Sequence, residues 1–241
     1  MIRNRLRDSL AGAAEADGSV VDTTAIQSNE LDGSLSKVPH ASAGANELVR
    51  YHAGMAYDSA ATRERILAAA TEEFAAHGVS GARVDRIAAS ASANKRAIYD
   101  YFGDKNKLFA VVLERALADL ARAVPPSEDL PHYAEHLFDY HREHPEALRL
   151  VMWEALEVGD GPVPGEEERT RHYGDKIRAA QAGGAPRDSA HTQVFFTLAL
   201  ASWSAGMPHL RRMVLGENCD LDRLREVLGR AVRAIQSADG D

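Results

Sequence analysis

An all-α fold is what the sequence predicts, on three observations. Apolar residues recur at spacings of three and four through most of the chain after residue 57, and no alternating strand pattern persists. Alanine is abundant and aromatic residues make up only 6% of the chain, a mix that favours helices over sheets. The helical runs are separated by short breaks rich in Gly and Pro, at 159–165 and 183–186. With 241 residues and 45% apolar content, there is material for one large or two small domains.

Residues 1–57 depart from the pattern. Gly, Ser, Ala, Asp and Asn recur there and large apolar residues are scattered, which reads as a disordered extension. Met55 stands directly before the folded pattern and is a candidate translation start. A first helix is expected from about residue 60 to 77, capped by Asp58 or Ser59. Ile66, Leu67, Ala70, Phe74 and Ala75 form its stripe, and Gly78 is placed to end it with Val79 packing back.

Val84, Ile87 and Ala88 mark a short helix, a tight turn falls near 90–93, and a second short helix starts at Ala93 or Asn94. That second helix turns Ala97, Ile98 and Phe102 inward and Asn94, Lys95, Arg96 and Tyr99 mostly outward. Two such helices around small turn residues, the second with a polar-basic face, have the layout of a DNA-binding helix-turn-helix. Gly103 ends the motif. Asp104 caps a long helix carrying Leu108, Phe109, Val112, Leu113, Ala116 and Leu120, which stops at Pro125 and Pro126.

Further helices are expected at about 129–144, from Pro145 onward, at 166–181, 189–205, 208–215 and 221–235. The helix at 189–205, with Val194, Phe195, Phe196, Leu198, Leu200 and Trp203, is apolar nearly all round, which implies burial on both sides. Together with the amphipathic helix at 221–235 it presents more apolar surface than a small monomer easily covers. The organisation expected is an extension at 1–57, a helix-turn-helix domain at 58–107, a helical domain at 108–236 and a tail at 237–241.

The formal net charge of −8 at first argues against nucleic acid. The distribution argues otherwise: residues 83–107 carry +3, leaving −11 on the remainder. A locally basic face on an acidic body can still neutralise phosphates where it touches them. No stretch of about 18 uninterrupted apolar residues is present, so no membrane span is expected. Cys219 is the single cysteine, and no apolar segment follows Arg3, Arg5 and Arg7 as in a secretory signal; both suit a cytoplasmic location.

Residues 62–112 resemble the DNA-binding domain of tetracycline-repressor-type (TetR family) transcriptional regulators. The resemblance rests on Phe74 and Gly78, Ile87 and Ala88, the run Tyr99, Asp100, Tyr101 and Phe102, then Lys105 and the pair Leu108 and Phe109. Ser92 stands where the family usually has glycine in the turn, and Arg96 where it often has a small residue. The resemblance implies an N-terminal three-helix helix-turn-helix domain and a C-terminal helical ligand-binding and dimerisation domain. It implies a homodimer, whose last two long helices pair with their symmetry mates. Its partners would be a near-palindromic double-stranded DNA operator and a small-molecule effector, and the regulator would be a repressor.

Asn94, Lys95 and Arg96 open the recognition helix, where side chains reach base edges: Arg and Lys suit guanine, Asn suits adenine. The resemblance favours Tyr99 as a phosphate contact; Tyr101 donates to phosphate or packs in the small core. Lys105 sits where its charge and free helix amides both favour phosphate. Arg83 and Arg86 are candidate backbone clamps. The plain alternative for all of these is a solvated helix face.

In the C-terminal half, Tyr133, Tyr140, Met152, Trp153, Phe195, Phe196, Trp203 and Met207 are candidates to line a ligand cavity. Aromatic residues at helical spacing are more often plain core. His132, His136, His141 and His144, with Glu135 and Glu143, could present metal ligands on one face but match no complete metal signature. No metal, cofactor or catalytic set is therefore expected. Two other classes stay open: a DNA-binding protein acting through a protein partner without a ligand, and an enzyme using the His and Glu cluster.

Overall fold

The structure is a computed structural model that describes residues 43–238, with side chains from residue 59. Its described residues form ten α-helices and no strand. They are α1 (Ala43–Gly81), α2 (Val84–Ser90), α3 (Lys95–Phe102), α4 (Lys105–Ala123), α5 (Leu130–Glu143), α6 (Pro145–Val158), α7 (Glu166–Ala182), α8 (Ala190–Gly206), α9 (Pro208–Leu215) and α10 (Leu221–Ala238).

One departure from expectation concerns α1. It runs through Asp58 and Ser59, so neither caps its start. No proline follows Ala43 to stop a helix, and a nucleated helix propagates readily. The expected extension lies outside the described residues as far as 42, as does 239–241. At its other end the helical path breaks at Gly78 as expected (φ 67, ψ −178), with Val79 buried behind it, and a last turn carries α1 on to Gly81.

Two apolar cores form. The first joins Ile66, Phe74, Ile87, Ile98, Phe102, Leu108 and Leu113 of α1–α4, and it also takes in Leu150 from α6. Phe74 and Phe109 meet edge-to-face with centroids 5.2 Å apart. The second core joins Leu130, Leu137 and Phe138 of α5 to Val194 and Ala201 of α8 and to Leu228 and Val232 of α10. Each large side chain so buried contributes about 1.5–3 kcal/mol. Helix α4 serves both cores: Leu108 to Leu113 sit in the first, and Leu120 packs on the second.

Helix α8 is buried on one side only. Ala190, Val194, Thr197 and Ala201 face inward, while Phe195 is 66% exposed and Trp203 57%. The expectation of burial on both sides fails within one chain, because an all-apolar helix at the edge of a bundle has neighbours on one side alone. Phe196 and Leu200 share the uncovered face, and Met213 and Val214 of α9 are also bare.

Candidate nucleic-acid interface

The helix-turn-helix is held by side chains that bond to backbone ends. Glu73 of α1 accepts the Arg83 N–H at 2.8 Å, at the free start of α2. The same carboxylate accepts the Arg86 Nε at 2.8 Å, and the Arg86 guanidinium also donates to the Gly81 carbonyl at 3.0 Å. Arg86 holds the Glu73 carboxyl below its ordinary range. Arg86 is therefore engaged by the fold through Glu73, with its side chain still 42% exposed. Arg65 donates to the Ala91 carbonyl at 3.1 Å, closing the end of α2. Lys105 reaches back from α4 to the Ala82 carbonyl at 3.2 Å.

Ser92 occupies the turn with φ 49, the left-handed region that glycine takes without strain. Asn94 then caps α3, its Oδ1 accepting the Arg96 N–H at 2.8 Å. Asp104 caps α4 in the same way, through Lys107 N–H at 2.8 Å. Ile98 and Phe102 anchor α3 in the first core. That leaves Lys95, Arg96, Tyr99 and Tyr101 on the solvent side, with the tyrosines 42% and 39% exposed. Lys95 pairs with Asp85 of α2 at 2.7 Å, and Arg96 lies 3.8 Å from Asp100. Arg83 is exposed at the start of α2.

The head joins the body through α6. Arg149 and Trp153 both donate to the Ala75 carbonyl of α1, at 2.7 and 3.2 Å. The Ser80 N–H donates to Glu157 at 3.2 Å. These bonds occupy backbone groups that the kink at Gly78 leaves outside the α1 ladder.

The body holds a mostly apolar cavity of about 340 Å³ between α4 and α7. Ala110, Glu114, Leu117 and Ala121 line it from α4, Glu168, Arg169, His172 and Tyr173 from α7, and Pro164 from the loop before α7. Arg169 is tied to the buried Glu154 of α6 by bonds of 2.6 and 3.2 Å. Burial pushes the His172 imidazole below its ordinary value. The buried ammonium of Lys176 stands 5.2 Å from the Tyr173 ring centre.

None of the six aromatic candidates named from sequence lines this cavity. Tyr133 is buried in the second core, where burial pushes its hydroxyl up. Tyr140 faces a separate space of about 330 Å³ with His144 and Arg115. Trp153 sits at the joint with the head, and Phe196 and Trp203 lie on the uncovered face of α8. The sequence carries no apolar stripe that would single out His172 and Tyr173, which sit in a helix that opens on Glu166, Glu167 and Glu168. The four histidines diverge. The His132 and His136 rings lie 3.9 Å apart, tilted by 55°, His141 turns inward to Ser202 at 3.3 Å, and His144 lies 3.4 Å from Glu146. Among the described residues no group of three or more His, Cys, Asp or Glu is placed to hold a metal ion, and no helix is long and apolar enough to cross a membrane.

Comparison with known proteins covers both halves. Residues 66–112 match the family described as bacterial regulatory proteins, tetR family, and residues 129–234 match the tetracyclin repressor-like C-terminal domain. The chain is 43% identical over 187 residues to the HTH-type transcriptional repressor SCO4008 of Streptomyces coelicolor, covering 75% of this chain and 97% of that protein. It is 36% identical over 106 residues to the HTH-type transcriptional repressor NicS of Pseudomonas putida, 41% of this chain and 50% of NicS. Among solved structures, the transcriptional regulator SCO4942 of Streptomyces coelicolor is similar with a TM-score of 0.63 at 35% identity, covering 72% of this chain and 97% of that one.

Proposed function

Since the chain belongs to the TetR family and is a DNA-binding transcriptional regulator, we propose that it represses transcription as a homodimer on a near-palindromic operator and lets go when a small molecule fills the body. The observation that carries the reading is the exposed N-terminal face of α3, with Arg96 and Tyr99 bare and Ile98 and Phe102 holding the helix from behind. Arg96 reads a base edge and Tyr99 and Tyr101 donate to phosphates. Asn94 fixes the helix start, and Lys95, Lys105 and Arg83 meet the backbone. That two relatives carry the name repressor supports the sign of regulation.

Dimerisation is supported by the uncovered face of α8, where Phe195, Phe196, Leu200 and Trp203 form a patch of the kind a second copy covers. The cavity between α4 and α7 has a volume suited to a small, mainly apolar effector that meets His172 and Tyr173 with its polar groups. An effector acts by differing in affinity for two spacings of the paired heads. Such a regulator works in the cytoplasm, where the chromosome is.

In vitro selection of DNA by the purified full chain tests this. Enrichment of a two-fold symmetric site is the expected result, with half-site centres one helical turn or a multiple apart. Enrichment of no symmetric site would overturn the dimeric operator.

A further inference from the structure

The two cations at the start of α3 do not stand in equivalent settings. Arg96 is nearly fully exposed and lies 3.8 Å from Asp100 one turn along its own helix. Lys95 is tied across the motif: its Nζ is 2.7 Å from Oδ1 of Asp85, which sits in the first turn of α2. The contact spans the turn and links the positioning helix to the recognition helix. Pairing pulls the Lys95 ammonium up and holds the Asp85 carboxyl low, with Arg83 adding to the field on Asp85, so both partners are charged at neutral pH.

We propose that Asp85 sets specificity by occupying Lys95, so that this cation reaches a phosphate only where the rest of the head is seated on its operator. The inference rests on the reading of α3 as the DNA face. Both partners are solvent-exposed, the Asp85 side chain 73% and Lys95 48%. An exposed pair is weak, whereas a phosphate offers a charge-assisted bond of full strength. A well-placed phosphate therefore takes Lys95 from Asp85. On non-specific DNA the backbone is not held in place, and the carboxylate both retains the lysine and repels phosphates. Asp85 thus lowers the sequence-independent part of binding more than the specific part, and the ratio between them rises.

The test is the salt dependence of binding by the full chain to the selected site and to a scrambled duplex. Asp85→Asn is expected to tighten binding to the scrambled duplex and steepen its log–log salt slope by about one, one more phosphate neutralised. Between 50 and 200 mM salt, that adds an affinity loss of about 3-fold. Asp85→Glu should retain the wild-type slope. In a Lys95→Ala background, Asp85→Asn should leave the slope unchanged. An unaltered slope for Asp85→Asn, or equal steepening with and without Lys95, would overturn the proposal. A Lys95→Ala, Arg96→Ala double variant separates the two layers. If it binds the selected site undiminished, the DNA face itself is misassigned. If it loses the site while Asp85→Asn behaves as wild type, only the role of Asp85 fails.

Discussion

The Trp153 indole lies so close to Gly78 that a β-carbon at residue 78 would stand 2.7 Å from the ring. The same indole donates to the Ala75 carbonyl. One aromatic side chain of the body therefore fills the bend that separates the first helix from the helix-turn-helix. The contact exists because residue 78 has no side chain, and because its backbone (φ 67, ψ −178) lies in a region essentially reserved for glycine.

Gly78→Ala is accordingly expected to destabilise the protein by about 2–4 kcal/mol, combining backbone strain with overpacking against a ring that cannot withdraw. Chemical denaturation measures the loss. Adding Trp153→Ala should remove the overpacking part alone, so the two changes together should cost less than their sum. Strict additivity would show that the ring and the glycine do not meet.

Ser92 carries the second unusual backbone, at φ 49. Ser92→Val, with a β-branched side chain in a left-handed turn, should lose about 1–2 kcal/mol. Ser92→Gly relieves the strain but loosens the unfolded chain, two effects of about 1 kcal/mol that oppose each other. Its melting temperature should equal or exceed that of the native protein. A glycine variant less stable than the valine variant would contradict the strain.

Arg96 and Lys105 should separate by the kind of loss they cause. Arg96 is bare at the start of α3, and Arg96→Ala should relax preference at one base position at a cost of about 1–3 kcal/mol. Lys105 lies at the start of α4 with its ammonium on the Ala82 carbonyl. Its removal should weaken all sequences alike and reduce the salt slope by about one. Binding profiles over single-base variants of the selected site distinguish the two, and identical profiles would void the assignment.

What could be read from sequence was what is local. The spacing of Phe74 to Gly78, of Ile87 and Ala88, and of Tyr99 to Phe102 repeats within a few residues, so the motif was legible before any coordinates. The cap at Asp104 follows from residue type and position in the same way, whereas Asn94, read as a base contact, turns its side chain to cap α3. Contacts between helices left no such trace. Arg86 looked like a DNA clamp because Glu73, thirteen residues earlier, could not be placed beside it. Trp153 looked like a ligand contact because nothing in its own helix points to the bend at Gly78. Periodicity could show that α8 was apolar all round, but not which side the chain itself would cover.

Arg169 and the buried Glu154 bridge the cavity wall to the helix that carries Trp153. The Glu154 side chain is only 9% exposed, so stripping its partner leaves an uncompensated charge. Arg169→Ala should cost about 3 kcal/mol. Making Glu154→Gln in the same chain should recover most of that, since the remaining group is neutral. Equal losses for the single and the double variant would mean that packing, not charge, explains the effect.

His141 gives the stability a pH dependence. It is 4% exposed, its Nε2 faces Ser202, and burial lowers its pKa from 6.5 to about 4. Its Nδ1 is buried without a hydrogen-bond partner among the described residues, so nothing rewards a second proton there. Because the folded value is depressed, the unfolded chain takes up a proton between pH 6.5 and 4 that the folded chain refuses. Stability from this group is full above 6.5, falls as the pH drops, and levels off below 4. At pH 5 the loss relative to pH 7.5 should be about 2 kcal/mol. His141→Gln, neutral throughout, should remove that share of the acid sensitivity, whatever it costs at neutral pH. Denaturation of both proteins at pH 7.5 and 5 isolates the difference, and an equal acid loss in the two would assign the sensitivity to other groups.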